Sequence, residues 1–176
     1  MLETIRASLA LSIAAKDKDG VVVGVVVSPT IDSTWWATRG GGSFLNGKKL
    51  QCNDPVELNR TMLATGFAYE SDKRLLQIDL IGKLLPQIRD IRRIGAAAVD
   101  LSFVGSGKVD AYFESGLNEW DIAAGGLIAQ EAGAILSSHV VGGQSFTLAA
   151  GPHLHQHEIV GCLCAAMLHL RRQVRS

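Results

Sequence analysis

The carboxylate best placed to take part in chemistry is Asp121, in a segment whose apolar residues recur every three or four positions. These apolar residues are Trp120, Ala123, Ala124, Leu127 and Ile128. The spacing predicts a helix over residues 118–131 with these side chains on one face. Asp121 would lie in the first helical turn, where the helix dipole favours an ionised carboxylate suited to a hard cation. The alternative is that Asp121 or Asn118 simply caps the helix.

Several other elements must position this helix. The small residues at 123–126 allow another backbone to approach it closely, and Gly133 is a C-terminal stop. Strands are predicted at residues 61–66, 88–94, 109–114, 134–137 and 146–150. Helices are predicted at residues 72–85, ending before Pro86, at 95–104, and from about Pro152 to Leu170.

The pattern of the first fifty residues predicts an antiparallel meander of strands. Strands are predicted at residues 8–15, 21–27 and 33–38, followed by a flexible glycine-rich loop at 39–43 and a tight turn at Asn46-Gly47. Neither a linker nor a repeat interrupts the chain. We therefore expect one α/β domain, an α+β layered sandwich over residues 1–176, mainly strand to about residue 66 and mixed helix and strand beyond it.

Composition excludes several function classes. Lys and Arg total 17 and Asp and Glu total 17, so no net field favours a nucleic acid or an anionic membrane. The longest apolar run, residues 21–27, is too short to span a bilayer. Three cysteines fit neither a disulfide framework nor a zinc knuckle, which favours the reducing cytoplasm.

Four segments together resemble one protein family. Trp-Asp-Ile-Ala-Ala-Gly at residues 120–125, followed by Glu-Ala-Gly at 131–133, is similar to a signature of the inositol monophosphatase family. The glycine-rich stretch at 39–47, Gly-Ala-Ala-Ala at 95–98 and the strand at 109–114 resemble other family segments in the same order. The collinear match runs from about Ser8 to the final helix.

The resemblance implies roles for three matching residues. Asp121 matches a ligand of the second catalytic Mg²⁺, Glu114 matches a carboxylate that hydrogen-bonds a substrate hydroxyl, and Ala97 matches a residue whose backbone N–H touches the sugar or inositol ring. An acceptor and a donor together can orient a ring that offers only hydroxyls. The alternative for Glu114 is an exposed carboxylate at the end of a strand.

Two family motifs that supply most of the metal ligands have no match in this sequence. They are a Gly-Glu-Glu segment and an Asp-Pro-x-Asp-Gly-Thr segment, and Asp54-Pro55 lacks the residues that should follow it. One carboxylate cannot hold Mg²⁺ tightly, because the ion needs several oxygen ligands. We therefore assign no catalytic residue and expect little or no phosphatase activity from this chain alone. A shortened gene product, a degraded gene or a misplaced start would account for the missing motifs.

Three functions remain open. The first is that of a Mg²⁺-dependent phosphomonoester hydrolase for inositol 1-phosphate or a related polyol phosphate, with histidinol phosphate, a nucleotide 3′-phosphate or fructose 1,6-bisphosphate as other substrates. The second is a non-catalytic pseudoenzyme that forms a homodimer or pairs with a full-length homologue. The third is an unstable remnant with exposed apolar side chains such as Leu9, Leu11 and Ile13.

Overall fold

The first sheet is the predicted antiparallel meander. In the computed structural model, which describes residues 9–68, 70–141 and 143–154, its strands follow one another in chain order. They are β1 (Leu11–Asp17), β2 (Gly20–Ser28), β3 (Ser33–Thr38), β4 (Gly42–Leu45) and β5 (Lys48–Lys49). Every neighbouring pair is antiparallel, and the valine-rich run of β2 occupies a central position, as β-branched residues favour.

One edge of this sheet exposes apolar side chains. β1 begins later and ends later than predicted, and residue 8 lies outside the described residues. Among the described strands, β1 is the outer one and pairs with β2 alone. Leu9, Leu11 and Ile13 share one face of this segment and are 66%, 59% and 59% exposed. The expected exposed apolar face is therefore confirmed.

The second sheet mixes parallel and antiparallel pairs. Its strands are β6 (Met62–Thr65), β7 (Asp90–Arg92), β8 (Ala111–Ser115), β9 (Ile135–Val141) and β10 (Gln144–Ala150). The spatial order is β7-β6-β8-β10-β9, with β6 parallel to both of its neighbours. The strand predicted at 88–94 is shorter in the structure. Those predicted at 134–137 and 146–150 are longer and form a hairpin.

Three helices of nine residues or more accompany the sheets in the described part of the chain. They are α1 (Ser71–Leu84), α2 (Ala97–Gly105) and α3 (Glu119–Glu131). α2 begins two residues later than predicted, because Gly95 adopts a positive φ of 87° that a right-handed helix does not allow. Of the predicted final helix, Pro152–Leu154 is helical and the remainder lies outside the described residues. None of the described helices is long and apolar enough to cross a membrane.

The elements stack in four layers. α2 and α3 pack against each other between the two sheets, against Trp35 of β3 on one side and Tyr112 of β8 on the other. α1 covers the opposite face of the second sheet, where Leu80 and Leu84 join the buried side chain of Phe113. Tyr112 and Phe113 face opposite layers because successive strand residues point to opposite faces.

Small residues set the spacing of the central layer, as predicted. A Cβ added to Gly125 of α3 would lie 2.7 Å from the carbonyl oxygen of Ala98 in α2. A Cβ added to Gly24 of β2 would lie 2.8 Å from the Cα of Ala124. Helix and sheet backbones are therefore in direct contact with α3, which leaves its first turn in a fixed position.

Trp120 departs from the predicted apolar face of α3. Ala124, Leu127 and Ile128 are buried as expected, whereas Trp120 is 72% exposed. Trp120 lies in the first turn of α3 beside β1, where its side chain lines open cavities and is not enclosed between the two sheets. The exposed ring lies instead at the rim of the cavity described next.

Candidate functional site

A cavity opens where β8 ends and where α2 and α3 begin. Its volume is about 420 Å³. We call it the acidic pocket, and the residues that define it are Gly66, Arg93, Ala97, Glu114, Asn118 and Asp121. Ala97, Glu114 and Asp121 come from α2, β8 and α3, so the fold brings together the three residues singled out from the sequence.

Asp121 has one oxygen engaged in capping its own helix. Its Oδ2 accepts a hydrogen bond from the backbone N–H of Asn118 at 2.9 Å, the return contact of a capping box. The capping alternative is therefore correct for this side chain. Its other oxygen, Oδ1, accepts no hydrogen bond from the described residues, and the side chain is partly exposed in the pocket. Capping and ligand binding are thus compatible at Asp121.

Glu114 lies on the face of β8 that points toward α2 and α3. Its carboxylate is partly buried, so the alternative of an exposed strand-end carboxylate is wrong. Tyr112, two residues earlier on the same face, donates a hydrogen bond from its hydroxyl to Oε2 of Glu114 at 2.7 Å. Burial raises the pKa of the Glu114 carboxyl, while the Tyr112 hydrogen bond and the charge of Arg93 act in the opposite direction.

Ala97 is the first residue of α2. The helix begins without a side-chain cap at Ala96, and the backbone N–H groups of Val99 and Asp100 bond to the carbonyl of Ala96. The first N–H groups of a helix have no partner within it. The N–H of Ala97 is one of these, and Ala97 lines the pocket. This placement suits a hydrogen-bond donor to a ligand.

Gly66 is a site residue that sequence reasoning missed. It follows β6, which runs parallel to β8 with Thr65 opposite Phe113. A Cβ at Gly66 would lie 2.2 Å from the carboxyl carbon and both carboxyl oxygens of Glu114. The Glu114 carboxylate therefore occupies the space that a side chain at residue 66 would need. The signal available in the sequence was only a glycine at the end of a predicted strand.

Asp100 is a second residue that sequence reasoning missed. This α2 side chain is 1% exposed, and its Oδ1 has no hydrogen-bond partner among the described residues. Burial and, secondly, the charge of Glu114 raise the pKa of Asp100 from 3.8 to about 7. The available signal was an aspartate inside an otherwise apolar helical segment, where an ionised carboxylate is costly.

The described residues do not by themselves form a site that fits Mg²⁺. Among residues 9–68, 70–141 and 143–154, no group of three or more His, Cys, Asp or Glu side chains is arranged to hold a metal ion. Asp121 offers one oxygen, and the partly buried Glu114 is engaged by Tyr112. Because Mg²⁺ needs several oxygen ligands, these residues would supply only part of its coordination.

The glycine-rich segment, whose residues 39–42 we call the glycine loop, lies away from the pocket. The sequence predicted a flexible loop, but Glu131 at the end of α3 anchors it. Oε1 of Glu131 accepts the Gly40 N–H at 2.8 Å, and Oε2 accepts the Gly42 N–H at 2.9 Å. Gly40 and Gly42 both adopt positive φ angles, which present their N–H groups to one carboxylate. The glycine loop, one of the segments that resemble the family, therefore has a structural role and is not part of the pocket.

Both the sequence and the fold of this chain match one known family. The sequence model of the inositol monophosphatase family matches residues 5–168. The chain belongs to this family. Its fold agrees with that of a solved structure, Mycobacterium tuberculosis SuhB, with a TM-score of 0.82 and 35% identity over 91% of this chain and 65% of the other. The Thermotoga maritima IMPase gives a TM-score of 0.78 at 27% identity, over 91% and 62% of the two chains.

Characterised relatives carry two kinds of name. The "Nus factor SuhB" of Escherichia coli strain K12 is 39% identical over 159 residues, which is 90% of this chain and 59% of the relative. The "Inositol-1-monophosphatase SuhB" of Mycobacterium tuberculosis strain H37Rv is 40% identical over 147 residues, 80% of this chain and 51% of the relative. The family is therefore one of inositol phosphate hydrolases. This chain spans between half and two thirds of the length of these relatives.

Proposed function

We propose that this chain carries the hydroxyl-recognising part of a Mg²⁺-dependent phosphomonoesterase that acts on inositol 1-phosphate or a related polyol phosphate. The observation that supports this is that Ala97, Glu114 and Asp121 line a single pocket. Oxygen Oε1 of Glu114 accepts a ring hydroxyl, and the N–H of Ala97 donates to another. Together these contacts orient the ring, since each hydroxyl can both donate and accept.

Asp121 has a narrower role in this proposal. Its other oxygen, Oδ1, would supply one ligand toward Mg²⁺, while Oδ2 caps the helix. The ion, when bound in a complete site, stabilises charge on the phosphoryl group. Because the described residues supply too few ligands, we expect the chain alone to bind a polyol without hydrolysing its phosphate at an appreciable rate.

Two measurements on the purified chain test this proposal. Binding of myo-inositol, followed by NMR line positions of pocket residues, should weaken about fivefold to tenfold in Glu114→Gln, which loses the charge of the acceptor. Glu57→Gln, at an exposed glutamate outside the pocket, is the matched control and should bind like the wild type. Equal binding by Glu114→Gln and wild type would contradict the assigned role of Glu114.

The second measurement is hydrolysis of inositol 1-phosphate with millimolar Mg²⁺, compared with a complete relative. We expect no turnover above background from this chain. Turnover close to that of the relative would contradict the proposed incompleteness of the metal site. A nucleotide 3′-phosphate and fructose 1,6-bisphosphate belong in the same assay, because both present free hydroxyls that the pocket can recognise. Histidinol phosphate belongs there as well, because its only alcohol carries the phosphate and it therefore lacks the hydroxyl that the proposed contacts need.

A non-catalytic role is the second candidate, and the exposed face of β1 supports it. Leu11 and Ile13 lie on β1, and Leu9 comes just before it. Within the described part of the chain the outer edge of β1 has no partner strand, so it can pair with another chain. The E. coli relative is named as a Nus factor rather than as an enzyme. In this role the chain forms a homodimer or pairs with a full-length homologue. Light scattering and pull-down with such a homologue should detect an assembly that Ile13→Lys disrupts, and a monomer that binds no homologue would exclude it.

Either role is proposed for the cytoplasm. Cys52, the cysteine within the described residues, is a buried free thiol. Burial raises the pKa of this thiol, which keeps it protonated and unreactive. An unpaired thiol at Cys52 fits a reducing compartment.

A further inference from the structure

We propose that Tyr112 and Gly66 are positioning residues that fix the Glu114 carboxylate so that Oε1 alone is offered to a ligand hydroxyl. The inference rests on the proposed function of the acidic pocket. It adds two residues that determine which oxygen of Glu114 can accept a hydrogen bond from the ligand. Neither residue needs to touch the ligand. Each acts by restricting where the carboxylate of Glu114 can lie.

The Tyr112 hydroxyl restricts the carboxylate from inside the protein. Its ring is fully buried between β8 and the central helices, and its hydroxyl donates to Oε2 of Glu114 at 2.7 Å. A buried tyrosine hydroxyl needs such a partner. Burial and, secondly, the charge of Glu114 raise the pKa of Tyr112 well above its usual range, so the hydroxyl remains a donor. Oxygen Oε2 is therefore permanently engaged.

Gly66 restricts the carboxylate from the neighbouring strand. The carboxyl group lies against its Cα, with all three carboxyl atoms 2.2 Å from the position of a Cβ. Gly66 has no positive φ, so the chain conformation alone would accept any residue here. Glycine is required at this position for space and not for backbone freedom. Any larger residue would push the carboxylate away from its place above Gly66.

These two restraints leave Glu114 with one available acceptor. Oxygen Oε1 accepts no hydrogen bond from the described residues and belongs to a side chain that lines the pocket. The charge of Arg93 favours the ionised carboxylate, whereas the charge of Asp121 disfavours it, and Asp100 lies close enough to interact electrostatically with Glu114. The Tyr112 hydrogen bond therefore fixes the position of Glu114 and also helps to keep it charged.

We call the two restraints on the Glu114 carboxylate, from Tyr112 and from Gly66, the clamp. Tyr112→Phe tests the first restraint, because it removes the hydroxyl oxygen and leaves the ring in place. Two signals report on it in the purified full chain: titration of the Glu114 carboxyl carbon by NMR, and binding of myo-inositol. We expect the pKa of Glu114 to rise and the dissociation constant for myo-inositol to increase about tenfold, as expected for loss of a hydrogen bond to a charged group. A merely structural role for Tyr112 would leave the Glu114 titration unchanged.

Gly66→Ala tests the second restraint with the Tyr112 hydroxyl intact, and it should weaken myo-inositol binding to a similar extent. Ser102→Ala is the matched control, since it removes a buried hydroxyl that bonds within α2 to the Ala98 carbonyl at 2.7 Å. It should change neither signal. Circular dichroism identifies any variant that fails to fold. Should Gly66→Ala be such a variant, Tyr112→Phe decides alone.

The outcomes separate this inference from the proposed function. If Tyr112→Phe binds myo-inositol as well as the wild type does and the pKa of Glu114 is the same in both, Tyr112 does not position Glu114. The proposed polyol-binding function of the pocket is then unaffected. If the wild type binds no polyol, the proposed function fails. A shift of the Glu114 titration in Tyr112→Phe would then still support the clamp, and an unshifted titration would overturn it.

Discussion

The two ends of α3 hold carboxylates in opposite situations. At its end, both oxygens of Glu131 accept backbone N–H groups from the glycine loop. At its start, Asp121 and Glu114 each have one oxygen engaged, and Asp100 nearby has one oxygen without a partner. At one end both carboxylate oxygens are therefore engaged by the protein, and near the other end three carboxylates each keep an oxygen without a protein donor among the described residues.

The difference distinguishes a structural carboxylate from one available to a ligand. Two backbone N–H donors bind the two oxygens of Glu131 and join the end of α3 to a loop that is distant in the sequence. This carboxylate therefore has a structural role away from the pocket. Near the start of α3, burial and, secondly, the charge of Glu114 raise the pKa of Asp100, so keeping that carboxylate ionised costs stability. Groups in this condition are typical of binding and catalytic sites. The comparison predicts that mutations at the two ends shift stability in opposite directions.

The largest expected effect is at Asp100. Its pKa is raised from 3.8 to about 7, so the folded state binds its proton more tightly than the unfolded state. The stability that this proton provides is complete below pH 4 and is lost as pH rises through 7, by an amount on the order of 4 kcal/mol. Asp100→Asn should remove this dependence and be more stable than the wild type at pH 8.

Urea unfolding of Asp100→Asn and wild type at pH 5 and pH 8 measures this effect. The matched control is Asp79→Asn, at an exposed aspartate of α1, which should retain the pH dependence of the wild type. If the free energies of unfolding of Asp100→Asn and wild type change by the same amount between the two pH values, ionisation of Asp100 does not destabilise the fold and the prediction is wrong.

Glu131 should show the opposite sign. Glu131→Ala removes two charge-assisted hydrogen bonds and leaves the N–H groups of Gly40 and Gly42 without a protein partner. We expect a loss of about 2–3 kcal/mol in the free energy of unfolding at pH 7. Glu119→Ala, at the start of the same helix, removes an exposed ion pair with Lys16 and should cost under about 1 kcal/mol. Equal losses in the two variants would contradict the contrast between the ends of α3.

Local pattern predicted much of the fold. The valine-rich β2, the Asn46-Gly47 turn and the periodicity of α3 each depend on neighbours a few residues away, and the structure agrees with them. The boundaries of β7 and β9 were less well predicted. Their lengths depend on the partner strands β6 and β10, which local pattern does not reveal.

The site was predicted only where a residue could be matched to a family motif. Glu114, Asp121 and Ala97 were matched in this way. Gly66 was missed because its role arises when two strands that are distant in the sequence become parallel neighbours. Glu131 was not assigned a role for the same reason, since its partner Gly40 lies 91 residues away.

The smallest expected effect concerns Trp120, which provides an optical signal for the pocket. Trp35 is fully buried and donates to the Ser106 hydroxyl at 2.8 Å, whereas Trp120 is 72% exposed at the pocket rim. The third tryptophan, Trp36, is partly buried and stacks on Phe44. Acrylamide should therefore quench Trp120 most strongly, and myo-inositol should reduce the quenching of Trp120 by covering its ring. Trp120→Phe should abolish the inositol-sensitive part while changing the free energy of unfolding by less than about 0.5 kcal/mol. A larger loss of stability would mean that the start of α3 depends on Trp120 for packing, and the two ends of this helix would then differ less than their hydrogen bonds indicate.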